Sequence, residues 1–104
     1  MLLLASCTLA AGSGRSQVPL QQDEPIRQAH ARLQQQGWQP AADGTASALD
    51  RDLAGNDLQS LSACSGTGAG FCRYDYRRGE LRLELITVPG ADGEGRVLRW
   101  SEHH

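Results

Sequence analysis

The chain contains no lysine. All ten of its basic residues are arginine, which removes Schiff-base chemistry and every phosphate loop built around a lysine. Aromatic residues make up 5% and include a single phenylalanine, so the core is modest. Charge of either sign is not in excess. The formal net charge is −2, without the basic surplus that nucleic-acid binding requires. Cysteine is scarce, three in 104 residues, and none stands in the Cys-x-x-Cys spacing of a thiol oxidoreductase. Calcium-loop spacing is missing too: Asp43, Asp50, Asp52 and Asp57 make one segment acidic, but alternating oxygen ligands with a closing glutamate do not occur. His30, His103 and His104 pair with no nucleophile by spacing, and His30 reads as a histidine at the edge of a helix stripe. The expectation is no catalytic residue, no cofactor and no metal. A length of 104 residues allows one small domain, and small cores often need a covalent staple.

What is present centres on residues 64–88, C-S-G-T-G-A-G-F-C-R-Y-D-Y-R-R-G-E-L-R-L-E-L-I-T-V. Two alternating runs joined by Arg78-Gly79 predict a β-hairpin. With that pair as the turn, Arg77 faces Glu80, Asp75 faces Arg82 and Arg73 faces Glu84. On the other face Tyr76 meets Leu81, Tyr74 meets Leu83 and Cys72 meets Leu85. Opposite charges then alternate along one face and neutralise the field that an anion site would need, so the face reads as solvated. The glycines between Gly66 and Gly70 run into a strand and not into a helix, against a dinucleotide fingerprint. Cys64 and Cys72 suit a disulfide closing the loop between two antiparallel strands, which places the chain in an oxidising compartment. Two reduced cysteines in a cytosolic protein are the alternative.

The start, M-L-L-L-A-S-C, resembles a bacterial lipobox, with Cys7 as the lipidated residue and Leu4-Ala5-Ser6 before it. Only six residues precede Cys7, short of a basic region and an apolar stretch of about 7–15 residues, so this reading requires a start codon further upstream. Cleavage after Ala10 or Ala11 would discard Cys7, and a disordered apolar stub is the third reading. Residues 1–22 are taken as this leader and a flexible linker, and 23–104 as the domain.

Within the domain, residues 24–36 predict a helix with Asp23 as N-cap, Ile26, Ala29 and Leu33 on one face, and Gly37 ending it. Residues 40–55 read as loop, with a helical turn at Leu49 and Leu53. Leu58–Cys64 forms a first strand, although facing Cys64 with Cys72 turns Ser60 and Ser62 inward, a poor pattern that a bulge or an edge strand explains. Arg96–Ser101 forms the last strand, with Val88 opposite Val97, Ile86 opposite Arg99 and Leu85 opposite Trp100. The expected fold is α+β: one N-terminal helix on a four-stranded antiparallel meander, its hairpin loop closed by the disulfide. The expected core is Ile26, Ala29, Leu33, Trp38, Tyr74, Tyr76, Leu81, Leu83, Leu85, Leu98 and Trp100. The same register puts Phe71, Ile86, Val88 and Val97 on the outer face beside the loop that carries Thr67, a candidate interaction surface unless residues 40–55 fold over it.

G-W-Q-P (37–40) and S-A-C-S-G-T-G-A-G-F-C-R-Y (62–74) resemble small exported proteins of cyanobacterial type. The resemblance covers residues 25–100 and implies export and the disulfide; it carries no activity. The leading expectation is a small exported, envelope-associated, non-enzymatic interaction module. It would be a lipoprotein held to the membrane through Cys7, or periplasmic, with an envelope protein as partner. The alternatives are a protease-inhibitor-like module presenting residues 65–70, and a thiol redox sensor using Cys64 and Cys72.

Overall fold

The computed structural model describes residues 18–66 and 68–104. They form an α+β domain with two helices and five strands, not one helix and four strands. In chain order these are α1 (Ile26–Gln35), β1 (Gln39–Pro40), α2 (Ala48–Ala54), β2 (Leu61–Cys64), β3 (Cys72–Arg78), β4 (Leu81–Pro89) and β5 (Gly95–His103). The sheet is antiparallel in the order β1-β3-β4-β5, and β2 also pairs with β3, further along the edge that β1 occupies.

Helix α1 buries Ile26, Ala29 and Leu33, as its apolar spacing predicts. Its end follows the prediction as well. Gly37 takes a left-handed φ of 89°; its N–H donates to Gln34 O, and the Trp38 N–H reaches back to Leu33 O, both at 3.0 Å. These are the two bonds of a Schellman motif, and they turn Trp38 into the core beside Leu33. The start differs. Pro25, not Asp23, is the N-cap, without a side-chain bond. Asp23 is drawn away because the backbone of residues 23 and 24 pairs with β5: Asp23 N–H donates to Val97 O, and Val97 N–H to Glu24 O. Leu20, in the segment read as linker, is buried in the core. Nearby Glu24 is buried and paired with Arg32 at 2.6 Å.

Helix α2 is the helical turn expected at Leu49 and Leu53, extended by a capping box. The Asp50 N–H donates to Ser47 Oγ, and the Ser47 N–H to Asp50 Oδ2. Leu49 and Leu53 are nevertheless exposed, and Ala54 makes the buried contact. Asp50 also accepts the Cys64 N–H at 3.0 Å, which ties α2 to β2. Hydrogen bonds from the Ser47 and Cys64 backbones hold its carboxyl below the usual range.

Three register corrections follow from local physics. In the β3–β4 hairpin, Arg78 faces Leu81, Arg77 faces Arg82, Tyr76 faces Leu83, Asp75 faces Glu84 and Tyr74 faces Leu85. The two central turn residues are thus Gly79 and Glu80. Gly79 has φ +61° and Glu80 is not among the positive-φ residues, the pattern of a type II′ turn. The expected turn would have required Arg78 at positive φ, which its Cβ disfavours. The shift is two residues, so every side chain keeps its face while all six expected pairs change. In β2, Leu61 faces Tyr74, Ala63 faces Arg73 and Ser62 is an extra residue. This bulge turns Leu61 inward, where it is buried. In β5, Ile86 faces Arg99 and Leu85 faces Trp100 as expected, but Thr87 faces Val97 and Val88 faces Arg96, leaving Leu98 as the extra residue. Without this bulge Arg96 would point into the core side. With it Val97 is buried, and Arg96 bonds Asp92 at 3.1 Å. Val97 therefore does not belong to the outer face. Leu98 is half-buried and outside the core cluster, while Leu81 and Trp100 pack partly buried against it.

The missed strand β1 is two residues long and ends in proline, which is tolerated only at an edge. Among the described residues no helix is long and apolar enough to cross a membrane.

Candidate functional site

The two faces of the sheet have different company. The inner face carries Tyr74, Tyr76, Leu83, Leu85, Thr87 and Val97, all buried under α1, Trp38 and α2. The outer face carries Arg73, Asp75, Arg77, Arg82, Glu84, Ile86, Val88 and Arg99, half-buried or exposed. An antiparallel sheet commonly leaves one face to solvent in this way.

At one end of the outer face lies the expected patch. Phe71 is 39% exposed, with the Arg99 guanidinium 5.8 Å from its ring. Ile86 stands between Arg73 and Arg99, and Val88 opposite Arg96; both are half-buried. Thr67 and Cys7 lie outside the described residues. The structure thus brings Phe71 and Ile86 together with arginines and removes Val97 from the group. The segment after β1 runs along the edge of β3 toward β2, the Ala41 N–H donating to Asp75 O and the Asp43 N–H to Ser62 Oγ, and the Asp43 carboxylate reaches Arg73 at 3.0 Å.

At the other end is a shallow polar groove of about 990 Å³ between residues 37–43 and the strands. Arg73 gathers its acids, lying 3.0 Å from Asp43, 3.0 Å from Asp75 and 3.6 Å from Glu84. The Arg73–Glu84 pair expected from the sequence survives as a diagonal contact. Arg78 is occupied differently. Its guanidinium lies 4.6 Å from the Trp38 ring centroid and donates to Gln36 O at 2.9 Å.

The disulfide joins Cys64 to Cys72, which face each other on β2 and β3. The Ser65 N–H donates to Phe71 O at 2.7 Å below the loop, and Ser65, Gly66, Gly68 and Ala69 are exposed.

One polar cluster on the inner face escaped the sequence. Ser60 Oγ donates to Tyr76 Oη at 2.9 Å, and Tyr76 Oη lies 2.8 Å from His30 Nδ1. Ser60 Oγ is 3.5 Å from the same nitrogen. A serine beside a histidine invites a hydrolytic reading. Ser60 is fully buried, however, and its proton goes to the tyrosine, so no substrate carbonyl can approach it. The cluster satisfies buried hydroxyls; its only signal in the sequence is that a tyrosine on an inner face needs a partner. Tyr74 finds one in Asn56, whose Nδ2 lies 3.0 Å from its Oη.

Burial lowers the His30 pKa from its ordinary 6.5. The folded state therefore binds its proton more weakly than the unfolded chain. This contribution to stability is complete above pH 6.5 and declines as pH falls through that value toward the lower folded-state pKa. Urea unfolding between pH 7.5 and pH 5 should show this loss in the native chain and not in His30→Gln; equal slopes for the two would assign the effect elsewhere.

Among the described residues no group of three potential metal ligands converges. The chain matches no protein-family model, and neither curated proteins nor solved structures show a match to it.

Proposed function

We propose that the chain is a small exported, non-enzymatic binding module of the cell envelope, lipid-tethered through Cys7 or released into the periplasm, that meets its partner with the outer face of the sheet. The observation that carries this reading is the asymmetry of the sheet: both helices pack on one face, and the other stays open, with an apolar end at Phe71 and Ile86 and a polar groove at Arg77 and Arg82. The Cys64–Cys72 bond supports an oxidising compartment. The sealed Ser60–His30 contact favours binding over hydrolysis. A second reading, an inhibitor-like loop at residues 65–70, draws support from the exposure of Ser65, Gly66, Gly68 and Ala69 beside the disulfide, since a preorganised loop loses little entropy on binding. It presents few side chains to a specificity pocket.

Intact mass spectrometry of the protein from native membrane and soluble fractions tests the proposal. The expected species is an acylated chain beginning at Cys7, or a chain cut after Ala10 or Ala11, each lighter by two hydrogens for the disulfide. An uncleaved, unmodified chain with free thiols overturns it.

A further inference from the structure

The charges of the outer face stand in rows across the strands. Gln39 is opposite Arg77, Arg77 is opposite Arg82, and Arg82 is opposite His103. One row of four side chains thus crosses β1, β3, β4 and β5. The neighbouring row holds Asp75, Glu84 and Ser101. Like charges directly opposite one another destabilise a sheet. The acidic row is relieved by Arg73, which touches both carboxylates. The basic row has no such relief. Among the described residues no ion pair includes Arg77 or Arg82, and the Arg77 guanidinium makes only a 3.5 Å bond to Gly79 O. Both arginines are exposed, and all four residues of the row line the groove.

We propose that this row binds a phosphoryl group, either free or carried on a lipid headgroup. Two guanidinium forks on adjacent strands, whose backbones run about 5 Å apart, suit the edges of a tetrahedral oxyanion. Gln39 and His103 add N–H donors at the two ends of the row. A bound dianion replaces the repulsion between Arg77 and Arg82 with two attractions. The acidic row alongside limits what fits: it repels the second and third phosphates of an extended polyanion, so the site suits a single terminal group. Arg78 and Arg73 are already engaged, by Trp38 and by the acids, and serve as walls of the groove. The inference rests on taking the open face as the contact surface. Its test reads ligand occupancy and not cellular location, so either can fail without the other.

The experiment titrates the purified chain with inorganic phosphate against chloride at matched ionic strength, following thermal unfolding and the arginine Nε–H signals by NMR. In parallel, the chain is sedimented with phosphatidylcholine vesicles with and without phosphatidic acid. Phosphate should raise Tm by a few degrees and shift the signals of Arg77 and Arg82. Arg77→Gln and Arg82→Gln should each weaken binding about tenfold. Without phosphate, both variants should be at least as stable as the native chain, because the repulsion is gone. Sedimentation that needs phosphatidic acid and fails in the variants assigns the headgroup source; a phosphate response without sedimentation assigns the free anion. Absence of both responses, or binding unchanged in the two variants, overturns the proposal. So does a loss of stability in the ligand-free variants, because it removes the repulsion on which the site is built.

Discussion

Reduction of the Cys64–Cys72 bond is expected to lower the unfolding free energy by about 2.6 kcal/mol, the loop-closure term for a ring of about nine residues. Domains of this size have roughly 5–15 kcal/mol in all, so the loss corresponds to a fall in Tm of about 10–20 °C. The location of the bond explains why little compensates for it. β2 is four residues long and bulged at Ser62, and the loop it enters is rich in glycine. Besides the ladder and the buried Leu61, the side-chain anchors of β2 are the Asp50 carboxylate on the Cys64 N–H and Ser62 Oγ, which accepts the Asp43 N–H and donates to Asp75. Urea unfolding with and without a thiol reductant gives the number directly, and Cys64→Ser with Cys72→Ala gives it without reductant. A loss below about 1 kcal/mol would mean that the ladder and Asp50 hold β2 unaided. The redox-sensor alternative for these thiols would then regain ground, because a bond that adds little to folding is little protected by it and is the more readily reduced.

The second large effect is expected at Trp38. Replacing it by alanine should cost about 3–5 kcal/mol, the usual range for a buried aromatic truncated to alanine. Trp38 is 1% exposed. It fills the space under the end of α1, follows the glycine that closes that helix, and carries the Arg78 guanidinium on its ring. Phenylalanine should cost much less than the difference in size implies. The indole Nε1 is buried without a hydrogen-bond partner among the described residues, a burden of about 1–3 kcal/mol that phenylalanine removes. Chemical denaturation of both variants separates the two terms. A phenylalanine cost as large as the lost volume implies, or larger, would show that the indole nitrogen is satisfied.

Trp38 and its helix illustrate what the sequence made legible. The Ile26–Ala29–Leu33 stripe, Gly37 as the stop and the inner set Tyr74, Tyr76, Leu83 and Leu85 all follow from periodicity, because burial acts on whole faces. Pairing across strands was not legible to the same degree. It turned on which of two turn positions Gly79 occupies and on two extra residues, Ser62 and Leu98, whose bulges answer to long-range packing. The bulge at Leu98 moved Val97 from the candidate surface into the core. The shift at Gly79 had the larger consequence for the site. In the expected register Arg73, Arg77 and Arg82 each faced an acid and the outer face was electrically bland. In the observed register Arg77 faces Arg82, and a cationic row appears where neutralisation was expected. The Ser60–Tyr76–His30 cluster was illegible for another reason: three residues distant in the chain meet only when α1 covers the sheet.

The edges of the sheet bear on aggregation. An unpaired strand edge templates the addition of another chain, and proteins blunt such edges with proline, bulges and short strands. Here the outer side of β3 is covered by two short segments, one ending in Pro40 and the other kinked at Ser62. The first part of β5 is capped by the backbone of residues 23–25, and beyond it the strand carries Arg99, Glu102 and His103. Beyond Val97, no strand among the described residues pairs with the outer side of β5, so along that stretch the charged and polar side chains of Arg99, Glu102 and His103, rather than a covering segment, oppose the addition of another chain.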